Sequence, residues 1–362
     1  MPVKERKRDV SMKKVLITAL VLMLVLGMGA SALAEGKVGV AMPTQSLQRW
    51  NQDGANMKAQ LETAGYEVIL TYSDNDTAQQ VSDIENMILN GVDVLVIASI
   101  DGEALGNVLA TAKDEGIPVI AYDRLIKGTD AVDYYATFDN YKVGAIQGQY
   151  LIDRFDLANT DKTFNMEVFA GSPDDNNALF FYAGAMDLLK PYIDAGTLNV
   201  VSGQMDFETC AILSWSTQTA QERMDNLLTA YYADGTHLDL VLSPNDSLAL
   251  GVTNSLIAAG FTLDDFPVIT GQDCDIANTK NIIAGYQAMS VFKDTRTLAA
   301  QVVTMVDAIM KGEEVPVNDT TTYDNGVKVV PSFLCDPVFA NIDNYKELLI
   351  DSGYYTEADL AQ

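Results

Sequence analysis

The sequence predicts an α/β protein whose parallel, doubly wound sheets form two lobes. Three observations carry this. From Lys37 onward, short β-branched runs alternate with amphipathic stretches of helical length, the pattern of repeated β-α units. Most runs are continuously apolar rather than alternating, as in strands covered on both faces. Gly65, Gly91, Gly116, Gly196 and Gly260 each close a helical stretch just before the next run, where a helix C-terminus favours glycine.

The strand candidates in order are "KVGVAMP" (37–43), "EVILTYS" (67–73), "VDVLVIAS" (92–99), "IPVIAYD" (117–123) and "VDYYATFD" (132–139). They continue as "NMEVFAGSP" (165–173), "LNVVSGQ" (198–204), "LDLVLSPND" (238–246) and "PVITGQD" (267–273). Between them, Val81, Ile84, Met87 and Ile88 share one helical face, as do Ala220, Met224, Leu227, Leu228 and Tyr231. Nine strands suit two sheets better than one. No Pro/Gly/Ser-rich linker divides them, so the lobes are expected to be joined by several close crossings.

The first 34 residues stand apart. Lys13 and Lys14 precede a 16-residue apolar run, Val15–Ala30, and then Ala32-Leu33-Ala34. Basic end, apolar middle and small-residue exit make a secretory signal peptide cleaved near Ala34, and the run falls short of the ~18 residues of a spanning helix. The exported protein is expected in the periplasm or outside the cell. Six of the 23 basic and two of the 50 acidic side chains lie in that segment, leaving 17 and 48, a formal net charge of −31. Nucleic acid and anionic membrane surfaces would repel such a chain. Cys210, Cys274 and Cys335 are too few and too scattered for a disulfide framework, so buried free thiols are expected.

Motifs for chemistry are few. A dinucleotide-like G-x-G at Gly27–Gly29 falls inside the signal peptide, and there is no Walker A loop, G-x-S-x-G elbow or CxxC. Asp74 and Asp76 resemble the start of a calcium loop, but Gln79 stands where its glycine belongs. The single His237, in "DGTHLDL", excludes any site needing two histidines. Asp174 and Asp175 keep a secreted carbohydrate-active hydrolase open as an alternative, since glycoside hydrolysis uses two carboxyls. No cofactor, metal or catalytic residue is expected.

The informative feature is where polar residues fall. Strands end on Asp123-Arg124, Asp139-Asn140, "SPDDNN" (172–177), Asn245-Asp246 and Gln272-Asp273. Helix N-capping accounts for some of these, though not for Arg124. In open α/β sheets ligands bind beyond the carboxyl ends of the strands, so these residues read as one cleft. Carboxylates accept from hydroxyls, Arg and Lys donate, and Asn does both; aromatic faces suit a sugar ring. Asp123 and Arg124 read as a mutually neutralising pair offered to hydroxyls. The two tryptophans, Trp50 and Trp215, both lie in polar loop contexts.

These stretches resemble the periplasmic monosaccharide-binding proteins of ABC transporters, of the xylose-binding and multiple-sugar-binding receptor type. The resemblance rests on "QRWNQDG" (48–54), "SDIENMILNGVDVLVIASIDG" (82–102), "VIAYDRLI" (119–126), "YYATFDNYKVG" (134–144) and "GSPDDNNA" (171–178). It continues through "LKPYIDAG" (189–196), "SPND" (243–246), "TGQD" (270–273), "VFKDT" (291–295) and "NGVKVVPS" (325–332). It implies a type I periplasmic binding protein: two Rossmann-like lobes, residues 35–139 with 292–322 and residues 140–291 with 323–362, joined by three crossings around a sugar. Carried over at the matching motifs, the sugar contacts are Arg49, Trp50, Asp123, Arg124, Asp175, Asn177, Trp215, Asn245, Asp273 and Lys293, with the tryptophans on opposite faces of the ring. The lead-in "MDFETCAILSW" (205–215) departs from the pattern, as does Cys274. The implied partners are an aldopyranose such as xylose, glucose, galactose or arabinose, a membrane permease, and a chemotaxis or sensor-kinase receptor. That last partner leaves a sugar sensor acting through a membrane receptor as a further alternative. The protein itself is expected to be a monomer.

Overall fold

A computed structural model describes residues 36–361; the expected signal peptide lies outside the described residues. The nine expected strands are all present, most of them shorter than expected because their polar ends leave the sheet. β1 (Lys37–Met42), β2 (Glu67–Tyr72), β3 (Val94–Ile97), β4 (Val119–Tyr122) and β5 (Tyr134–Phe138) belong to one sheet. β6 (Phe164–Val168), β7 (Leu198–Val200), β8 (Leu240–Leu242) and β9 (Val268–Ile269) belong to a second. Three short strands had no signal of their own: β10 (Met289–Phe292), β11 (Ser332–Cys335) and β12 (Val338–Asn341).

The first sheet runs β11-β5-β4-β3-β1-β2 and the second β7-β6-β8-β9, every pairing parallel. β10 continues the second sheet through a bridge between Gln272 and Val291 and carries β12 antiparallel on its other side. β11 is the correction to the expected partition: residues 332–335, assigned with 323–362 to the second lobe, pair with β5 in the first sheet. The chain passes between the sheets after β5, after β10 and after β11.

The helices are α1 (Gln48–Thr63), α2 (Thr77–Leu89), α3 (Gly106–Asp114), α4 (Asn140–Phe155), α5 (Asn176–Asp194) and α6 (Phe207–Cys210). They continue with α7 (Thr217–Tyr231), α8 (Asp246–Ala258), α9 (Ile276–Ala284), α10 (Thr295–Lys311) and α11 (Glu357–Leu360). Asp76 caps α2, accepting from the Ala78 and Gln79 N–H groups, which answers the calcium-loop resemblance. All three cysteines are buried and free. Val38, Val40, Val94, Val96, Ile120 and Tyr122 fill one face of the first sheet beneath α1 and α10, and the other face packs on α2 and α3.

Where helices meet, glycine lets backbones touch. A Cβ on Gly144 of α4 would stand 2.0 Å from the Phe181 carbonyl oxygen of α5, and one on Gly184 of α5 would stand 2.1 Å from that of Tyr141. This close crossing fixes the start of α5, where Asp175 and Asn177 sit. Gly144→Ala should therefore cost about 1–3 kcal/mol, the usual penalty of overpacking. Urea unfolding would show it as a lower midpoint at unchanged slope, and a midpoint equal to the parent's would mean that the helices can part freely.

Candidate functional site

Most of the polar strand ends gather, while Asp139, Asn140 and Asp246 stand outside the cavity lining. Arg49, Trp50, Asp123, Arg124, Asp175, Asn177, Trp215, Asn245, Asp273 and Lys293 all line one cavity between the two sheets. The first sheet contributes Arg49 and Trp50 in the opening turn of α1, with Asp123 and Arg124 after β4. The second contributes Asp175 and Asn177 at the start of α5, Trp215 in a 3₁₀ turn before α7, Asn245 before α8 and Asp273 after β9. Lys293 follows β10 at a crossing.

Capping explains part of this set. Asp175 accepts from the Asn177 N–H and Asn245 from the Leu248 N–H. Asp123 and Asp273 cap nothing. Both hold a left-handed backbone, with φ of 58° and 96°, and Trp215 does so at 54°. Such conformations cost non-glycine residues energy and persist only where the surroundings hold them. At Asp123 the holding groups are explicit: its carbonyl oxygen accepts from Tyr135 Oη at 2.6 Å, Thr137 Oγ1 at 2.9 Å and Asn177 Nδ2 at 2.7 Å.

Arg49 is the hub. Its Nε donates to Asp53 Oδ2 at 2.9 Å, Nη1 to Asp273 Oδ1 at 3.1 Å and Nη2 to Asp123 Oδ2 at 2.6 Å. Lys293 Nζ lies 3.2 Å from Asp273 Oδ1 and 3.9 Å from Asp123 Oδ2. Burial works against the Asp123 carboxylate, but Arg49 and Lys293 hold it below the usual range. Asp53, sealed behind Arg49 and hydrogen-bonded by the Tyr122 hydroxyl, is pushed up by burial to about 6 although Arg49 opposes the shift. Burial also raises Asp175, with Arg124 offsetting part of it.

The expected Asp123–Arg124 pair is not formed. Arg124 turns to the opposite sheet, where its Nε stands 3.0 Å from Asp175 Oδ2. That nitrogen is not aligned for a hydrogen bond, so the contact is an ion pair. Nη1 donates to the Ser99 and Ile100 carbonyls, and the guanidinium lies 5.0 Å from the centre of the Trp50 ring. Adjacent residues diverge because Asp123 is left-handed. The carboxyls of Asp174 and Asp175 part as well: Asp174 accepts from Ser172 Oγ, while Asp175 takes Arg124, the Asn177 N–H and Trp215 Nε1 at 3.2 Å. The two adjacent carboxyls are thus engaged by different partners.

The atypical stretch before Trp215 is docked on the second sheet. Ala211 bridges Ala170, the Ser214 N–H donates to Ser172 Oγ at 2.7 Å, and the indole lies on Gly171, where a Cβ would meet it at 2.0 Å. Residues missed from the sequence also line the cavity, Leu47, Phe181, Ser247 and Asp275, together with Gln272, a cleft strand end not chosen as a contact. Phe181 sits in an apolar helical run and gave no signal, whereas Gln272 adjoined a chosen residue in "TGQD".

Residues 38–314 match the family of the periplasmic binding protein domain. The chain is 52% identical over 328 residues to the multiple sugar-binding periplasmic receptor ChvE of Rhizobium radiobacter, covering 90% of this chain and 92% of that protein. It is 38% identical over 348 residues to the D-xylose-binding periplasmic protein of Escherichia coli strain K12, covering 96% of this chain and 99% of that protein. An ABC transporter solute binding protein from Clostridium phytofermentans, solved with bound β-D-glucose, is similar with a TM-score of 0.88 at 64% identity. That likeness covers 90% of this chain and 100% of the other.

Two measurements test the electrostatics. A double-mutant cycle of Arg124→Ala with Asp175→Asn, read by urea unfolding, should give a coupling of about 1–3 kcal/mol, larger than the cycle of Arg124→Ala with Asp123→Asn. The reverse order would restore the pairing expected from adjacency. For Asp53 the folded pKa lies above the unfolded value near 4. Its contribution to stability is therefore complete below that value and lost as pH rises through about 6. A gap of that width between the folded and unfolded pKa corresponds to about 3 kcal/mol. Asp53→Asn does not titrate, so it should lose about that much less stability than the parent between about pH 4 and pH 7; equal gradients would exclude the assignment.

Proposed function

The chain belongs to the periplasmic binding protein domain family, and on that premise we propose that it captures a monosaccharide between two lobes and delivers it to a sugar ABC transporter. The observation that supports this best is the make-up of the cavity. The cavity is lined by Arg49, Arg124 and Lys293 held against Asp123, Asp175 and Asp273, with Trp50, Trp215 and Phe181 as ring surfaces. Its polar groups can donate to and accept from hydroxyls, while the pairing leaves little net charge to bind an ion. The ten residues expected from the sequence are the proposed contacts, with an aldopyranose as ligand and D-glucose, the sugar bound by a solved relative, as the first to try.

Arg49–Asp273 and Arg124–Asp175 each join the two sheets. We read them as contacts of a closed form, with the crossings after Phe138, Phe292 and Cys335 as the hinge. The lobes are residues 35–139 with 292–322, joined by β11, and the remainder. Relatives are periplasmic, and we assign this chain the same compartment, with cleavage near Ala34, action as a monomer and a permease as partner.

A ligand that binds only the folded state raises its stability, by about 2.7 kcal/mol at 100 times the dissociation constant. Thermal scans should show that gain with D-glucose, D-xylose, D-galactose or L-arabinose and none with leucine; the opposite selectivity would sink the sugar reading. Trp50 and Trp215 are the only tryptophans, so the same sugars should change the intrinsic emission saturably. Trp50→Phe and Trp215→Phe should each retain part of that change at weaker affinity.

A further inference from the structure

Three of the four carboxylates lining the cavity have a cation partner: Asp123 with Arg49, Asp175 with Arg124, and Asp273 with Lys293 and Arg49. Asp275 has no ion pair among the described residues. It stands just before α9, where an Asp ordinarily accepts from an N–H of the first turn, yet its side chain makes no such bond. The Ile276 N–H donates instead to Gln48 Oε1 at 3.1 Å. Although Asp275 as a whole keeps some exposed surface, its Oδ1 is buried and accepts from nothing.

Behind it lies Asp246 in α8, fully buried and also without an ion pair among the described residues. Both of its oxygens are occupied: Oδ1 accepts from Gln287 Nε2 at 2.8 Å and Ser290 Oγ at 3.0 Å, and Oδ2 from the Asp275 N–H at 2.9 Å. Two neighbouring carboxyls out of water do not both ionise. Burial, then Asp275, holds Asp246 well above the carboxylate range. Burial, then Asp273 in the same loop, pushes Asp275 up to about 7, against the pull of Arg49 from α1 and Lys293 beyond β10. Burial raises both carboxyls, and no donor reaches Asp275 Oδ1, so below about 7 Asp275 holds a proton and offers the cavity both an O–H donor and an acceptor.

We propose that Asp275 is a further specificity-determining contact of this site, engaging one ring hydroxyl of the bound sugar as a neutral carboxylic acid, so that affinity falls as the solution turns alkaline. The inference rests on the sugar reading. Its sign follows from the donor: the contact is complete while Asp275 holds its proton and is lost as pH rises through about 7, above the window set by Asp53 at about 6.

Calorimetry with D-glucose from about pH 6.5 to 8.5 on the full mature chain tests it, with the single-position deoxyglucoses as comparison ligands and thermal scans to show that each variant folds. The parent should lose about tenfold in affinity across that range, the weight of one hydrogen bond. Asp275→Asn, which keeps a donor and an acceptor but does not titrate, should stay within about threefold of the parent at the acid end and show no fall. Asp275→Ala should bind glucose about tenfold more weakly but be nearly silent toward the one deoxyglucose that lacks the contacted hydroxyl. A flat parent profile, an equal fall in Asp275→Asn, or an Ala variant that loses equally with every deoxyglucose would overturn the inference alone. If the parent binds no sugar at any pH, the sugar reading falls and this inference with it.

Discussion

The site depends on one buried guanidinium. Arg49 bonds carboxylates from three separate stretches of chain, Asp53 one helical turn along α1, Asp123 after β4 and Asp273 after β9. A charge out of water is tolerable only when it is paired and its hydrogen-bonding groups are filled. The fork geometry of arginine meets that need in three directions at once, which the single ammonium of lysine cannot match in plane. The left-handed turns at Asp123 and Asp273 are the backbone's side of the same arrangement, each swinging a carboxylate out of its strand's line and toward the guanidinium.

Around that hub, charge is arranged so that the proposed sugar would meet groups already in position. Arg124, held by two backbone carbonyls and by Asp175, lies over Trp50. Lys293 Nζ lies 5.8 Å and 5.5 Å from the ring centres of Phe138 and Phe181. Groups held this firmly lose little freedom when a ligand arrives, and preorganisation of that kind favours affinity more than added contact area does.

Much of this was legible in the sequence, for reasons that can be named. Strands of a parallel sheet covered on both faces are apolar until they stop, so Asp123, Asn245 and Asp273 stand out where they end. That strand ends share a cleft is a property of the fold class. Pairing was less legible. Asp123 and Arg124 are neighbours in the chain, and only the positive φ of Asp123 turns them to different partners. Asp53 and Asp275 were hidden by reading as an ordinary helical acid and a helix cap. Phe181 was hidden by its apolar helix, and β10 to β12 by lying beside the crossings, outside the regular alternation of strand and helix.

The place of β11 bears on how the chain is made. Ser332 pairs beside Tyr135, so the edge of the first sheet closes only after nearly the whole polypeptide has left the ribosome. Contacts so distant in sequence form slowly, because the intervening chain must be ordered before they reward it. Until then β5 is an open edge that other chains could pair with. If the chain is exported as proposed, it gains from that delay, since it stays threadable until its last strands are synthesised. The same delay makes it prone to aggregate if translocation stalls. The crossing proposed as a hinge thus also sets the moment at which the molecule can first exist.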